Sequence, residues 1–236
     1  MSVNPLDDDL GTIHAIGSSG SDWGNGITGD IRDLFYNTLR PENVNNRVQI
    51  STFTLGSGKK GKSEVQEFFK IINNLLKNER SVVLIVNDNE SKTMPSCNPD
   101  AKIKLKELQK KYPDRFQYYL FNSKSIHAKK ILHAKLVVVD RQIALIGSAN
   151  ISKSALSSNY EVMLKISGDV VSRLSLMLDN LAEMLRAEGE SHKTWLQDWL
   201  GKKSWSAWGR RPFTEKTFFS GTKDDPWIPS IGKSIS

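Results

Sequence analysis

Cysteine is nearly absent from this 236-residue chain: Cys97 is the only one, which excludes an internal disulfide and a cysteine-based zinc site and points to a reducing compartment such as the cytoplasm. Long hydrophobic runs are missing too. No 18-residue apolar stretch occurs, and the opening MSVNPLDDD lacks a basic start followed by an apolar core. Neither a membrane anchor nor a secretory signal is therefore expected. No carboxylate cluster accompanies the polar residues singled out below, so the chemistry is expected to need no metal and no cofactor.

What is present is positive charge. Lys and Arg number 33 against 26 Asp and Glu, a formal net charge of +7, and lysines are concentrated between residues 100 and 135. Such a stretch attracts polyanions, although a solvated helix face would have the same composition. Nucleic acid is the expected partner, DNA before RNA. An anionic membrane surface would also be attracted, but no amphipathic segment with a basic face and Trp, Phe or Leu opposite it is evident. At 38% hydrophobic residues the chain can bury a substantial core.

Periodicity outlines the fold. Residues 1–27 are polar and rich in Gly and Ser, and read as a flexible lead-in. Ile31, Leu34, Phe35 and Leu39 have helical spacing up to Pro41, and VQISTFTL reads as a strand. Val65, Phe68, Phe69, Ile72, Leu75 and Leu76 form a second helical stripe, followed by the strand SVVLIV. A lysine-rich helix near 100–111 leads to the strand FQYYLF. Then come LVVV, IALI and EVMLKI, and a helical stripe through Val171, Leu174, Leu178, Leu181 and Leu185. Strands alternating with helices predict an α/β domain over 28–188, with a layered mixed sheet flanked by helices. Residues 189–236 form a basic extension, helical then irregular, holding five of the six tryptophans. Trp195, Leu196, Trp199 and Leu200 make a helical stripe; interleaved with Lys202, Lys203, Arg210 and Arg211, the tryptophans could also stack on unpaired bases.

The polar residues around LVVV and IALI carry the chemistry. HAKLVVVDRQIALIGSAN, His133 to Asn150, reads H-x-K-x4-D and then G-S-x-N, with Glu161 following. At average composition the six fixed residues coincide at a given position with a frequency of roughly one in tens of millions. On an extended strand His133 and Lys135 share a face, as do Ser148 and Asn150. A neutral imidazole beside an ammonium, with uncharged donors opposite, suits an anionic phosphodiester that repels nucleophiles. Asp140 has the opposite parity to His133 and stands where the strand turns, so its part in the motif reads as holding the turn at Arg141-Gln142.

This pattern resembles the signature of the phospholipase D superfamily, matched at His133, Lys135, Asp140, Gly147, Ser148, Asn150 and Glu161. The resemblance implies a phospholipase D-like fold and phosphodiester cleavage through a covalent phosphohistidine. His133 would be the nucleophile, Lys135, Asn150 and Ser148 the phosphate ligands, and Glu161 the carboxylate orienting His133. Such two-step chemistry needs a second histidine to protonate the leaving group. Of four histidines only His133 heads a complete motif. His127 opens the near repeat IHAK, but Ala134 stands where its aspartate should be, and His14 and His192 have no motif around them. A two-fold homodimer, as in the single-motif bacterial endonucleases of the superfamily, would supply the missing group.

One rival pattern overlaps the basic residues. GSGKKGKS, Gly56 to Ser63, fits the phosphate-cradling G-x4-G-K-S loop between a strand and a helix. Four constrained positions recur by chance in roughly one per cent of such chains. Lys59, Lys60 and Lys62 are therefore read as substrate-phosphate contacts with no ATP chemistry, together with Lys129 and Lys130 before the motif. The reading reached from sequence is a metal-independent DNA nuclease. Its alternatives are a phospholipid-hydrolysing phospholipase D and a nucleic-acid-binding subunit of a bacterial defence or restriction assembly.

Overall fold

In the computed structural model the β-branched and aromatic runs pair into one eight-stranded mixed sheet. The structure describes residues 11–20, 28–56, 64–89, 91–121 and 131–202, with 188–202 by backbone alone. The strands are β1 (Thr12–Ser19), β2 (Gly29–Asp30), β3 (Arg47–Thr52), β4 (Ser81–Asn87), β5 (Phe116–Phe121), β6 (Leu136–Val139), β7 (Ile143–Gly147) and β8 (Glu161–Ser167), in the order β2-β1-β8-β7-β6-β3-β4-β5. β3, β4 and β5 run parallel, whereas β6, β7, β8 and β1 pair antiparallel across the middle.

Period-two alternation divides the apolar residues between two layers. Val48, Ile50, Val82, Leu84, Val137 and Leu145 point into one core, where α1 (Ile31–Thr38), α2 (Glu64–Lys77), α3 (Pro99–Lys111) and α4 (Lys153–Ser157) cover the sheet. Val83, Ile85, Leu136, Val138 and Ala144 point the other way, against Val171, Leu178, Ala182 and Leu185 of α5 (Asp169–Lys202). Full burial of one such side chain contributes about 1.5–3 kcal/mol, so each layer pins its helices firmly. The α5 stripe runs at the spacing the sequence shows. Under it lies a polar anchor: buried Gln49 donates to the Ser175 carbonyl (3.2 Å) and to Asp179 (2.9 Å), and Arg47 pairs with Asp179 at 2.7 Å.

Two expectations need correction. Residues 12–19 are not a flexible lead-in. They form β1, antiparallel to β8 from Thr12 opposite Ser167 to Ser19 opposite Glu161. Ile13 and Ile16 have opposite parity, with a register shift between them, so no period-two pattern marks the strand, and its pairing partner, Glu161–Ser167, is remote in the sequence. The strand in VQISTFTL stops at Thr52, and Leu55 makes isolated bridges to Cys97 and Ile151 instead. The chain divides into a unit of residues 1–186 and a second of 187–236. In the second unit the backbone is helical to Lys202; the tryptophan side chains lie outside the described residues.

Gly147, at the end of β7, is required by close approach. A Cβ there would stand 2.1 Å from the Val162 carbonyl oxygen and 2.8 Å from Met163 Cα. Any side chain would separate β7 from β8 at the point where both deliver polar residues to the sheet edge.

Candidate active site

The alternating strand directions place five chain segments on one rim of the sheet: the start of β6, the end of β7, the start of β8, and the ends of the parallel strands β3 and β4. Ligands of open α/β sheets bind at such carboxyl ends. A cleft of about 680 Å³ opens here, lined by His133, Lys135, Ser148, Asn150 and Glu161, with Leu136, Ile146, Leu174 and Met177 forming its apolar wall.

His133 and Lys135 are on the extended approach to β6. Lys135 is 7% exposed, and its Nζ donates to the His133 carbonyl at 2.8 Å. The same nitrogen stands at the edge of the imidazole, 2.9 Å from Nδ1 and 3.1 Å from Nε2, and can donate only to whichever nitrogen is unprotonated. Burial holds the ammonium below the ordinary lysine value, and the charge of Glu161 works against that shift. His133 itself is exposed on the cleft side, while its other flank meets the ring of Phe53, with centroids 5.0 Å apart and planes at 52°. Phe53 also lies 5.7 Å from Lys135 Nζ.

Asn150 follows β7, and its amide has one orientation open to it. The Thr54 N–H donates to Oδ1 at 2.9 Å, so Oδ1 must face Thr54 and Nδ2 turns away from it. Thr52 Oγ1 approaches the same oxygen at 3.4 Å. Residues 54–56 form a strap: Ile151 N–H donates to the Thr54 carbonyl, Gly56 N–H to the Ile151 carbonyl, and Leu55 N–H to the Ser96 carbonyl.

Ser148 and Glu161 are arranged differently from expectation. The Ser148 hydroxyl donates to Glu161 Oε2 and accepts from the Val162 N–H at 3.2 Å, so its single proton is committed. Glu161 Oε1 accepts from Asn159 Nδ2 at 3.3 Å. Within one chain, then, Glu161 is held by Ser148 and Asn159, with no hydrogen bond to His133. Glu161 begins β8, two strands from β6, and Ser148 stands between them. Spacing along the chain gives parity on one strand, and says little about reach across strands.

Asp140 is away from the cleft, at the opposite end of β6. It and Arg141 have φ of 53° and 59°, and Gln142 N–H donates to the Val139 carbonyl, so the tight turn centres on Asp140-Arg141, one residue earlier than expected. The carboxylate accepts from three backbone N–H groups, of Asn45 (2.7 Å), Asn46 (2.8 Å) and Arg47 (2.8 Å). This clamps the β6–β7 hairpin to the approach to β3. The expected effect of Asp140→Ala is a loss of about 1–3 kcal/mol in stability, read as a lowered midpoint in thermal unfolding, because these are charge-assisted bonds that water can partly replace. Turnover per folded molecule should stay within about threefold of wild type. A loss of turnover without a stability change would place Asp140 in the chemistry.

The described residues stop at Gly56, hydrogen-bonded to Ile151, before resuming at Glu64, and stop again at Phe121 before resuming at Ile131, two residues before His133. Lys59, Lys60, Lys62, Lys129 and Lys130 lie outside the described residues, as does His127. Lysines 102, 104, 106, 110 and 111 are on α3, against β5 at the far edge of the sheet. Lys102 pairs there with Asp88 at 2.6 Å, and Lys104 lies over Phe69. Burial pushes the Cys97 thiol up to about 12, which leaves it unreactive. Among the described residues no cluster of His, Cys, Asp or Glu could hold a metal ion, and no helix is long and apolar enough to cross a membrane.

The structure is thus a mixed sheet between helical layers, with histidine, lysine and asparagine gathered on one rim. The family model for the phospholipase D-like domain of cardiolipin synthase matches residues 42–182, and the chain belongs to that superfamily of phosphodiesterases. Its fold is similar to NucT from Helicobacter pylori, with a TM-score of 0.52 at 19% identity over 73% of this chain and 96% of that one. It is similar also to Nuc, a phospholipase D family member from Salmonella typhimurium, with a TM-score of 0.51 at 13% identity over 71% and 90%. No curated protein sequence matched the chain.

Proposed function

We propose that this chain is a metal-independent nuclease that cleaves DNA through a phosphohistidine on His133, in a composite site completed by a second copy. The observation that carries the reading is the single cleft in which His133, Lys135 and Asn150 stand together with their polar groups already aimed. The imidazole would attack phosphorus and displace the alkoxide, which takes a proton from the second histidine. Water, deprotonated by that same histidine, would then split the phosphorus–nitrogen bond and restore His133. Lys135 and the Asn150 Nδ2 donors would hold the non-bridging oxygens. A buried ammonium short of counter-charge is costly alone, and an incoming phosphate anion supplies the charge it lacks.

Support for the second copy comes from an apolar row beside the cleft. Ile16, Leu164 and Ile146 lie side by side across β1, β8 and β7, with Ile16 43% and Ile146 37% exposed, and Met177 at the cleft wall is 50% exposed. Contiguous apolar surface of this kind favours association. Support for a nucleic-acid substrate is the net charge of +7, with Lys59 three residues from Gly56 in the sequence and Lys130 three from His133.

The apolar wall of Leu136, Ile146, Leu174 and Met177 favours a second reading, in which a lipid acyl chain lies in the cleft and the substrate is a phospholipid. One assay separates the readings. Purified protein in EDTA, given plasmid, single-stranded DNA, RNA and phospholipid vesicles in parallel, is expected to cleave DNA fastest and release no headgroup. Headgroup release without nicking would establish the lipid reading. Tight DNA binding with no cleavage of any substrate would turn the assignment to a binding subunit.

A further inference from the structure

The extended approach to β6, which carries His133, is tied to the end of β4 by one buried amide. Asn87, the last residue of β4, is 1% exposed. Its Oδ1 accepts from the Leu132 N–H at 3.0 Å, in the residue immediately before His133. Its Nδ2 donates to Ser96 Oγ at 3.1 Å, and that hydroxyl donates back to the Asn87 carbonyl at 2.7 Å. Ser96 Oγ also accepts from the Asn89 N–H, and Asn89 Oδ1 accepts from the Ser96 N–H. A buried donor or acceptor left unmatched costs about 1–3 kcal/mol, so this closed set has little freedom to rearrange.

The placement has a purpose beyond stability. Residues 131–135 make no ladder pairing, because β6 begins only at Leu136. Yet this unpaired stretch carries both His133 and Lys135. Phe53 limits the ring on one flank and Lys135 on its edge; the backbone from which the ring hangs is held before it by the bond to Leu132, and after it by Ser51 Oγ, which donates to the Ala134 carbonyl at 3.1 Å.

Resting on the phosphodiesterase reading above, we propose that Asn87 is a positioning residue for the reaction: its buried amide holds the backbone at Leu132 and so sets where the His133 imidazole stands. Asn87 touches no substrate. A misplacement of the nucleophile by about 1 Å is worth roughly a hundredfold in rate. Asn87→Leu, similar in volume but without the acceptor, should therefore lower kcat per folded molecule by about 10- to 100-fold, with KM and DNA affinity within about twofold of wild type. Asn87→Asp should recover most of that rate, since a protonated carboxyl both accepts from Leu132 and donates to Ser96.

The deciding measurement does not need turnover. In protein labelled with ¹⁵N at histidine, the His133 ring resonances, identified by their loss in His133→Ala, should broaden or double in Asn87→Leu and sharpen again in Asn87→Asp, while those of His14 stay unchanged. If Asn87→Leu fails to fold, Ser96→Ala decides instead, with partial broadening and a smaller fall in kcat expected. Unaltered His133 resonances with unaltered kcat in the folded variant would overturn the proposal. So would equal losses in Asn87→Leu and Asn87→Asp that merely follow the unfolding midpoint. Should the wild-type protein cleave nothing while its His133 resonances respond as described, the phosphodiesterase reading fails and the positioning of His133 by Asn87 stands.

Discussion

His133→Ala is expected to abolish phosphodiester cleavage while leaving the fold and DNA affinity nearly intact. Its ring is exposed to the cleft and, among the described residues, meets the flank of Phe53 and the ammonium of Lys135, so little packing is lost with it. Binding, by contrast, would be spread over many lysines, each contributing a small counterion-release increment. Removing a nucleophile from a two-step displacement leaves only the residual effect of binding and charge, so the fall should exceed a thousandfold. Gel-based nicking and a salt-dependent binding isotherm on the same preparation check both halves. Cleavage within tenfold of wild type would mean that His133 is not the nucleophile.

Mixing subunits has the second largest expected effect. If one site needs His133 from both copies, a dimer of one wild-type and one His133→Ala chain lacks either the nucleophile or its acid partner. General acid assistance is typically worth about 10²–10⁴ in rate, so mixed dimers should be nearly dead. After complete exchange at a one-to-one ratio, about a quarter of the dimers remain intact by the statistics of a closed pair, and activity should fall to that fraction. Activity near one half, or full activity in a species that scatters light as a monomer, would show that each chain works alone.

The parts of this molecule that were legible in its sequence are those governed by local periodicity. The stripe Val171, Leu178 and Leu185 gave α5 its buried face, and the runs VQIST, SVVLIV and FQYYLF are the parallel strands. Illegible were the features made by contacts across strands. β1 escaped because its pairing partner lies at Glu161–Ser167. His133, Lys135 and Asn150 reach one cleft because β6 and β7 form a tight hairpin, a short-range event that spacing can foresee. The bond between Ser148 and Glu161 depends instead on lateral order in the sheet, and so does the placement of Phe53 beside His133. Asn87 had a faint signal, a polar Asn-Asp-Asn triplet closing a buried strand, but nothing local says that its amide points at Leu132.

The contiguous stretch from His133 to Glu161 looks self-sufficient, yet three of its anchors come from elsewhere: the 45–47 backbone for Asp140, Thr54 for Asn150, and Asn87 for the residue before His133. Such long-range closures carry a larger entropic cost than the hairpin turn, since a large loop must be closed before each bond can be made. A hairpin that has formed in isolation, on a nascent chain or a partly unfolded one, therefore has the reactive side chains without their alignment. Alignment of these side chains depends on the sheet around the hairpin being in register, and not on the hairpin alone.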